Sequence, residues 1–270
     1  MIALNLLDSM QLDKFKIIGV SPKPDTFENL KIETVTPDYI LCDKSSNLDN
    51  FDFILNFSRG NNAYNEKLGV NRILEKFTAS AKYVINSSTY AQHYQINKIN
   101  NLSSYLTLKQ STSQFLSSPT VKSKVFDISY FTLLGKYDKI SSLISRIIPK
   151  LLKNEEISLT RGEQLISYTD VSDAVVLVKK LIDRPHTFTP GKYSFWPTPP
   201  VKLRVVIEEL VSLTESKSKV HYGSIPYSGH ELFSYDEKCF PKQIIADYNW
   251  KMLKKSLLDL ISYHKILSEE

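Results

Sequence analysis

Short runs of apolar and β-branched residues alternate along the first half of the chain with segments in which apolar residues recur every three or four positions. The runs predict strands over residues 16–20, 39–42, 53–57, 83–86 and 124–128. The helical spacing predicts one helix near 65–77 and another over 103–116. Apolar strands joined by amphipathic helices are typical of a parallel sheet covered on both faces. The pattern therefore predicts a Rossmann-like, doubly wound α/β fold.

The second half of the chain has a mixed pattern. It predicts a helical stretch over 140–153 that Pro149 interrupts, followed by helices over 173–182, 203–213 and 253–264. Candidate caps for the 173–182 helix are Thr169, Asp170 and Ser172. The Pro-rich segment 196–200 predicts a rigid loop. These elements together predict a smaller C-terminal α+β domain.

Composition narrows the class of protein. Of the 270 residues, 42% are hydrophobic and 23% are charged, as in an ordinary soluble globular protein. The net charge of +5 comes from scattered lysines, so we expect no nucleic-acid binding, which needs a clustered basic patch. No apolar run reaches the roughly 18–20 residues that span a bilayer, and the start lacks the features of a signal peptide. We therefore expect a cytoplasmic protein with no membrane partner.

Neither the cysteines nor the histidines indicate a metal site. Cys42 and Cys239 lack the spacing of a zinc site or of a disulfide framework, and they are expected to be reduced thiols. The five histidines form no close ligand pair. We expect no bound metal.

The main candidate for chemistry is the pair Tyr105 and Lys109, which share one face of the predicted helix 103–116 because they are four residues apart. A tyrosine has an ordinary pKa of about 10, and a neighbouring ammonium lowers that pKa. Ser88, at the end of the preceding strand, supplies a hydroxyl to hold a substrate oxygen against the phenol. The set predicts proton transfer in alcohol–carbonyl chemistry. The alternative is a surface helix with a partly buried tyrosine, since this spacing is common by chance.

The order of these features resembles the extended short-chain dehydrogenase/reductases, especially the nucleotide-sugar epimerases, dehydratases and reductases. Ser88, Tyr105 and Lys109 match the Ser/Thr, Tyr and Lys of that family. Three later segments also match it in order. They are 130–135 (YFTLLG), like its segment beside the nicotinamide, 166–173 (ISYTDVSD), like its R-D-F-x-x-V-x-D, and 249–250 (NW), like its L-G-W.

This resemblance implies an NAD(P)-dependent oxidoreductase or epimerase acting on a nucleotide-activated sugar. Tyr105 is expected to exchange a proton with a sugar oxygen, and Lys109 to assist it and to hold the nicotinamide ribose. Ser88 is expected to bind the reacting oxygen, with Thr89 as the alternative because alignment of a strand end can slip by one. The segment 160–164 (TRGEQ) looks most like CDP-hexose reductases of the abequose and paratose synthase type. That likeness implies a role in bacterial surface polysaccharide synthesis, including lipopolysaccharide.

The resemblance also implies the cofactor contacts, which besides Lys109 are Asp43 toward the adenine and Phe57 and Ser58 in the cofactor cleft. NAD-specific relatives place an acidic residue toward the ribose 2′-hydroxyl after the second strand. Here that strand is followed by Ser21 and Lys23, which suit a 2′-phosphate, so NADP is expected over NAD. The alternative for Lys23 is an ordinary solvated side chain in a turn.

The resemblance further divides the chain into domains. It implies a cofactor-binding domain of residues 1–134 and 168–200, and a substrate-binding domain of residues 135–167 and 201–270. It also implies a homodimer through the helices near 65–77 and 103–116. The alternative for these helices is that their apolar residues face only the sheet.

The sequence departs from the family in its phosphate site. Relatives begin with a central strand and a Gly-rich turn for the cofactor pyrophosphate, whereas this sequence contains no G-x-x-G-x-x-G and its first glycine is Gly19. Ile166 and Ser167 stand where relatives have Arg and Asp. One hypothesis is an enzyme whose first residues are missing from this sequence, and another is a non-catalytic relative serving as a binding, scaffold or regulatory subunit. A third is an unrelated α/β protein.

Overall fold

The computed structural model describes residues 1–11, 14–20, 32–35, 51–58, 66–94, 104–138, 142–195, 200–229, 231–234, 241–243 and 252–269. By their contacts the residues form two compact units. The sheet unit contains Leu6–Ser129 and Leu177–Ser194. The second unit contains Met1–Asn5, Tyr130–Val176 and Phe195–Glu270.

The described elements of the first half are four helices and five strands. In chain order they are α1 (Ile2–Ser9), β1 (Ile18–Val20), β2 (Glu33–Val35), β3 (Phe53–Asn56), α2 (Glu66–Thr78), β4 (Tyr83–Thr89), α3 (Ala91–Tyr94), α4 (Ser104–Leu116) and β5 (Lys124–Tyr130).

The described strands of the second half have two to five residues and lie among longer α-helices. They are β6 (Thr132–Leu134), α5 (Leu143–Leu152), β7 (Ile157–Leu159), β8 (Leu165–Ile166), β9 (Tyr168–Asp170), α6 (Val171–Asp183), a 3₁₀ turn (Pro185–Thr187), β10 (Gly191–Phe195), β11 (Val201–Lys202), α7 (Leu203–Thr214), β12 (Val220–Tyr222), β13 (Lys242–Gln243) and α8 (Leu253–Glu269).

The sheet unit is organised around strands in the order β10-β5-β4-β3. Helix α2 connects β3 to β4, and α4 connects β4 to β5, as crossover helices do between parallel neighbours. Strands β3 and β4 pair in parallel, with Asn56 opposite Asn86. This arrangement confirms the predicted doubly wound α/β fold with a parallel sheet.

Strands β1 and β2 form a separate parallel pair. In the part of the chain that the structure describes, no hydrogen-bonded strand extends the sheet beyond β3. Ile18 of β1 nevertheless packs with Phe51, Ile54 and Ile73 against Phe77 of α2.

The second unit packs α5, α7 and α8 into one apolar core that includes Leu134, Ile207 and Leu257, all essentially inaccessible. Around it, β6 pairs with β9 and β7 with β12 in parallel, and β8 pairs with β11 antiparallel. Gly135, with φ +143°, follows β6. An added Cβ there would lie 2.5 Å from Cγ1 of Val171, so this close approach to the start of α6 requires glycine.

The prediction that Pro149 interrupts its helix is wrong. Helix α5 runs continuously past Pro149 to Leu152. The proline removes the backbone donor that would reach the carbonyl of Ser145, one turn earlier. The helix survives this loss because it buries an apolar face that includes Ile144 and Ile148.

Helix α6 begins at Val171, two residues before its predicted start, because Asp170 caps it. Asp170 Oδ1 accepts the backbone N–H of Ser172 at 2.8 Å and its hydroxyl at 2.5 Å. Of the other candidate caps, Ser172 lies inside the first turn, and Thr169 Oγ1 donates to the carbonyl of Phe195 at 3.4 Å. Strand β4 is also longer than predicted and includes Ser88 within the strand.

Several predicted features lie outside the described residues. They are the strand at 39–42, the loop at 196–199, the Asn249–Trp250 pair and both cysteines. Among the helices that the structure describes, none is long and apolar enough to cross a bilayer. The same described residues contain no group of three or more His, Cys, Asp or Glu side chains arranged to hold a metal ion.

Candidate functional site

Ser88 is the residue before the last one of β4. It therefore lies at the carboxyl end of the strand, which is where doubly wound sheets bind ligands. Its exposed fraction is 4%, and its Oγ has no hydrogen-bond partner among the described residues. Leaving a buried hydroxyl unpaired costs about 1–3 kcal/mol, so such groups are few in folded proteins and are often found at functional sites. Ser88 is therefore suited to bind an oxygen of a ligand.

Lys109, from α4, is as buried as Ser88, with 4% of its surface exposed. Its Nζ donates to the carbonyl of Ser58 at 2.7 Å and to the carbonyl of Ser87 at 2.5 Å. Ser58 follows β3, and Ser87 lies in β4. One buried ammonium therefore holds the ends of two neighbouring strands to α4 through charge-assisted hydrogen bonds, which are about twice as strong as neutral ones.

Tyr105 lies one helical turn before Lys109 and is half-buried. The Nζ of Lys109 is 5.9 Å from the centre of the Tyr105 ring, within the roughly 6 Å over which a cation and an aromatic ring attract each other. The structure thus brings Tyr105 and Lys109 together on α4, beside the strand that carries Ser88.

The alternative residue, Thr89, has a different environment. Successive side chains of a strand point to opposite faces of the sheet, so Thr89 and Ser88 face opposite sides of β4. The Oγ1 of Thr89 accepts the N–H of Ala91 at 3.4 Å. Thr89 therefore stabilises the turn after β4, whereas Ser88 shares a face with Asn86.

A chain of buried polar side chains, which we call the polar seam, crosses three strands on that face. Asn56 Nδ2 donates to Asn86 Oδ1, and Asn86 Nδ2 donates to Asp127 Oδ1, both at 2.7 Å. Ser113 of α4 donates its hydroxyl to Asp127 Oδ2. At the other end, the N–H of Ser58 donates to Asn56 Oδ1 at 3.2 Å. The seam joins β3, β4, β5 and α4 beneath the candidate site.

The polar seam also fixes the helix that carries Tyr105. Ser113 lies one turn after Lys109, so α4 is tied to the sheet at two successive turns. Between them, Thr112 Oγ1 donates to Asn71 Oδ1 of α2 at 3.0 Å. These three contacts oppose rotation or sliding of α4, and thus hold Tyr105 in place relative to Ser88.

A second polar group lies after β4. Gln92 Nε2 is 3.2 Å from Ser129 Oγ and 3.1 Å from His93 Nε2, and Ser129 Oγ is 2.8 Å from the same histidine nitrogen. Burial lowers the pKa of His93, Asp127 opposes this effect, and Lys192 adds to it. The side chains of Gln92, His93 and Ser129 thus form one closed group of polar contacts.

Among the predicted cofactor residues, Phe57 and Ser58 directly follow β3, and Lys109 is bonded to the carbonyl of Ser58. These residues therefore lie close to one another. The remaining predicted contacts, Ser21, Lys23 and Asp43, lie outside the described residues.

Sequence reasoning missed both the polar seam and the group of Gln92, His93 and Ser129. A signal for the seam was present, since Asn56, Asn86 and Asp127 each interrupt an apolar run predicted to be buried. A polar residue at such a position needs a buried partner. Which partner it has depends on strand order and register, and these were unknown from the pattern.

The fold of the whole chain is similar to several solved structures of nucleotide-sugar enzymes. The NAD-dependent NDP-hexosamine 5,6-dehydratase TunA, of tunicamycin biosynthesis, matches with a TM-score of 0.75 and 14% identity, covering 98% of this chain and 95% of that one. The dTDP-glucose 4,6-dehydratase of Bacillus anthracis, in complex with NAD, has the same TM-score and identity and covers 100% and 94%. The UDP-glucose 4-epimerase of Thermotoga maritima, with UDP-glucose, matches with a TM-score of 0.72 and 14% identity and covers 99% and 96%.

Sequence comparison gives no such match: no family model matches the chain, and no curated protein matches it. The structural likeness extends over almost the entire chain and over almost the entire length of each neighbour. The chain therefore has the fold of the NAD-dependent nucleotide-sugar epimerases and dehydratases, which confirms, at the level of the fold, the resemblance to the extended short-chain dehydrogenase/reductases.

Proposed function

We propose that this protein is a nicotinamide-dependent oxidoreductase or epimerase that acts on a nucleotide-activated sugar. The observation that carries the proposal is the buried Ser88 hydroxyl, unpaired among the described residues, on the strand that Lys109 ties to the helix of Tyr105. The fold shared with nucleotide-sugar epimerases and dehydratases supports the same substrate class.

In this proposal, each residue has a defined task. Ser88 Oγ donates a hydrogen bond to the sugar oxygen that changes between hydroxyl and carbonyl. The phenol of Tyr105 takes the proton from that oxygen or returns it, and the ammonium of Lys109 stabilises the phenolate in the proton-poor state. A bound nicotinamide supplies the hydride chemistry. The polar seam keeps Ser88 and Tyr105 at a fixed separation, which proximity catalysis requires.

The described residues fit a nicotinamide cofactor at the carboxyl ends of β3 and β4. Phe57 and Ser58 line this edge, and Lys109 lies beneath it with its charge buried. Ser21, Lys23 and Asp43 complete the proposed cofactor site, and Ser21 with Lys23 supports NADP as the preferred form. Several solved neighbours carry NAD, so NAD remains the alternative form of the cofactor.

The proposed reaction is a reduction or an epimerisation of a nucleotide-activated hexose, as in CDP-hexose reductases. It takes place in the cytoplasm as part of bacterial surface polysaccharide synthesis. Residues 1–134 and 168–200 bind the cofactor, and residues 135–167 and 201–270 bind the substrate. A homodimer forms through α2 and α4.

The test is a cofactor and substrate screen on the full chain. NADH and NADPH are titrated by fluorescence, and CDP-, UDP- and dTDP-hexoses are then assayed for a change in nicotinamide absorbance and for an altered sugar. Tyr105→Phe is expected to lower turnover about 10²- to 10⁴-fold with cofactor binding retained. Tyr83→Phe, at a half-buried tyrosine of β4, is the matched control. Equal turnover of the two variants would contradict the role of Tyr105.

A second candidate function is a non-catalytic binding or regulatory subunit. It is supported by the two backbone carbonyls that Lys109 binds, because a lysine can have this clamping role without any cofactor. It predicts a folded protein that binds neither NADH nor NADPH. Binding of either cofactor with a dissociation constant in the micromolar range would exclude it.

A further inference from the structure

The register of the sheet brings Ser129 beside Ser88. Where β3 pairs with β4, the N–H of Tyr83 donates to the carbonyl of Asp52, and Tyr83 lies opposite Phe53, the residue after Asp52. In the same way, the N–H of Lys124 donates to the carbonyl of Lys82 at 2.9 Å, so Lys124 lies opposite Tyr83. Counting along the parallel strands places Asp127 opposite Asn86, in agreement with their side-chain bond. Two residues further along, Ser129 lies opposite Ser88 on the same face of the sheet. Neighbouring strands are about 5 Å apart.

Gln92 reaches this pair from α3, just beyond the end of β4. Its amide nitrogen contacts both Ser129 Oγ and His93 Nε2. The amide oxygen is therefore turned away from both. Only 4% of Gln92 is exposed, and Oε1 has no hydrogen-bond partner among the described residues.

Ser88 Oγ and Gln92 Oε1, both buried and without a hydrogen-bond partner among the described residues, thus belong to two side chains that neighbour Ser129. Their chemistry differs. The hydroxyl of Ser88 can donate or accept, whereas the amide oxygen of Gln92 can only accept. A ligand that satisfies both must present a hydroxyl or amine donor to Gln92, close to the oxygen held by Ser88. Neighbouring ring positions of a sugar provide such a pair of oxygens.

We propose that Gln92 is a specificity residue that accepts a hydrogen bond from a sugar hydroxyl next to the carbon at which Ser88 and Tyr105 act. This inference rests on the proposed nucleotide-sugar function and narrows it. Ser129 and His93 are positioning residues, because they hold the Gln92 amide and do not contact the sugar. A substrate that has a keto group or no oxygen at the neighbouring position loses this contact.

The test separates the sugar from the nucleotide. Dissociation constants of UDP and UDP-glucose, and of dTDP and dTDP-glucose, are measured by calorimetry on the full chain with NAD or NADP. Within each pair, the dissociation constant of the nucleotide divided by that of the nucleotide sugar is a ratio that reports the contribution of the glucose. Gln92→Met keeps the length of the side chain and removes the acceptor. It is expected to reduce the ratio about 5- to 10-fold and to leave the nucleotide constant unchanged. Gln114→Met, at an exposed position of α4, should change neither constant.

A second measurement does not depend on the folding of a variant. The imidazole signal of His93 in the unmodified protein, identified by its loss in His93→Asn, is expected to shift when UDP-glucose or dTDP-glucose binds and not when UDP or dTDP binds. Sugar-dependent binding with neither a smaller ratio in Gln92→Met nor a His93 shift would overturn the role of Gln92 and leave the proposed function standing. Failure of every nucleotide sugar to bind would overturn both.

Discussion

The ammonium nitrogen of Lys109 lies 2.5 Å from the carbonyl oxygen of Ser87, the residue that precedes Ser88 in β4. This contact joins the helix that carries Tyr105 directly to the backbone that positions Ser88. The same nitrogen also binds the carbonyl of Ser58, at the end of β3. Lys109 therefore has a structural task in this protein in addition to the electrostatic task proposed for it.

The structural task predicts a large stability loss in Lys109→Met. The substitution leaves the carbonyls of Ser58 and Ser87 without the ammonium, and bonds to charged groups contribute about 1.5–3 kcal/mol each. We expect the free energy of unfolding to fall by about 2–4 kcal/mol in urea denaturation. Lys82→Met is the control, because Lys82 is 72% exposed and pairs with Asp52 at the surface. Exposed ion pairs contribute little to stability, so similar losses in the two variants would refute the clamp.

Ser88→Ala is predicted to separate activity from stability. It removes a buried hydroxyl that lacks a partner among the described residues, so the free energy of unfolding should stay the same or rise by about 1 kcal/mol, while turnover is lost. The control is Ser123→Ala, since the Ser123 hydroxyl donates to the carbonyls of Thr78 and Ala81. This variant should lose about 1 kcal/mol in thermal or urea unfolding. A loss of stability in Ser88→Ala as large as in Ser123→Ala would mean that Ser88 has a structural partner.

The polar seam predicts an effect of Ser113→Ala on both stability and chemistry. The substitution removes one donor to the Asp127 carboxyl and one of the contacts that hold α4. We expect a loss of about 1–3 kcal/mol in unfolding free energy, and a lower kcat with little change in KM. Ser111→Ala is the matched control on the same helix, because among the described residues its hydroxyl donates back to the carbonyl of Leu108 and to no other element. A kcat equal to that of the control would show that the seam does not position the site.

Burial of His93 predicts a pH dependence of stability. Its pKa is lowered from 6.5 in the folded protein, so the unfolded chain binds a proton more readily in the range at and below pH 6.5. The stabilising effect of the neutral imidazole is complete above that range and is lost as the pH falls through it. Urea unfolding at about pH 7.5 and about pH 5.5 should show lower stability at the acidic pH.

His93→Asn should make this pH-dependent loss smaller without abolishing it, because burial also lowers the pKa of His264. His186→Asn, at an exposed position of the 3₁₀ turn, controls for the loss of an imidazole. A pH-dependent loss that is equal in His93→Asn and in the unmodified protein would contradict the assignment to His93.

The sequence predicted the strands β3, β4 and β5 and the helices α2 and α4 well because their apolar periodicity is strong. It also predicted the proximity of Tyr105 and Lys109, since that depends only on helical spacing. It failed at Pro149, where tertiary burial of an apolar face outweighs the local preference of one residue. It gave no indication that Gln92 meets Ser129, because that contact depends on the pairing of strands that are far apart in sequence.

The polar seam has a consequence for how the chain finds its native sheet. Strands that are apolar on both faces can slide past one another by two residues with little change in hydrophobic burial. The bonds from Asn56 to Asn86 and from Asn86 to Asp127 form in a single alignment only. A shifted sheet would bury three unmatched polar side chains, so the seam excludes misaligned sheets during folding.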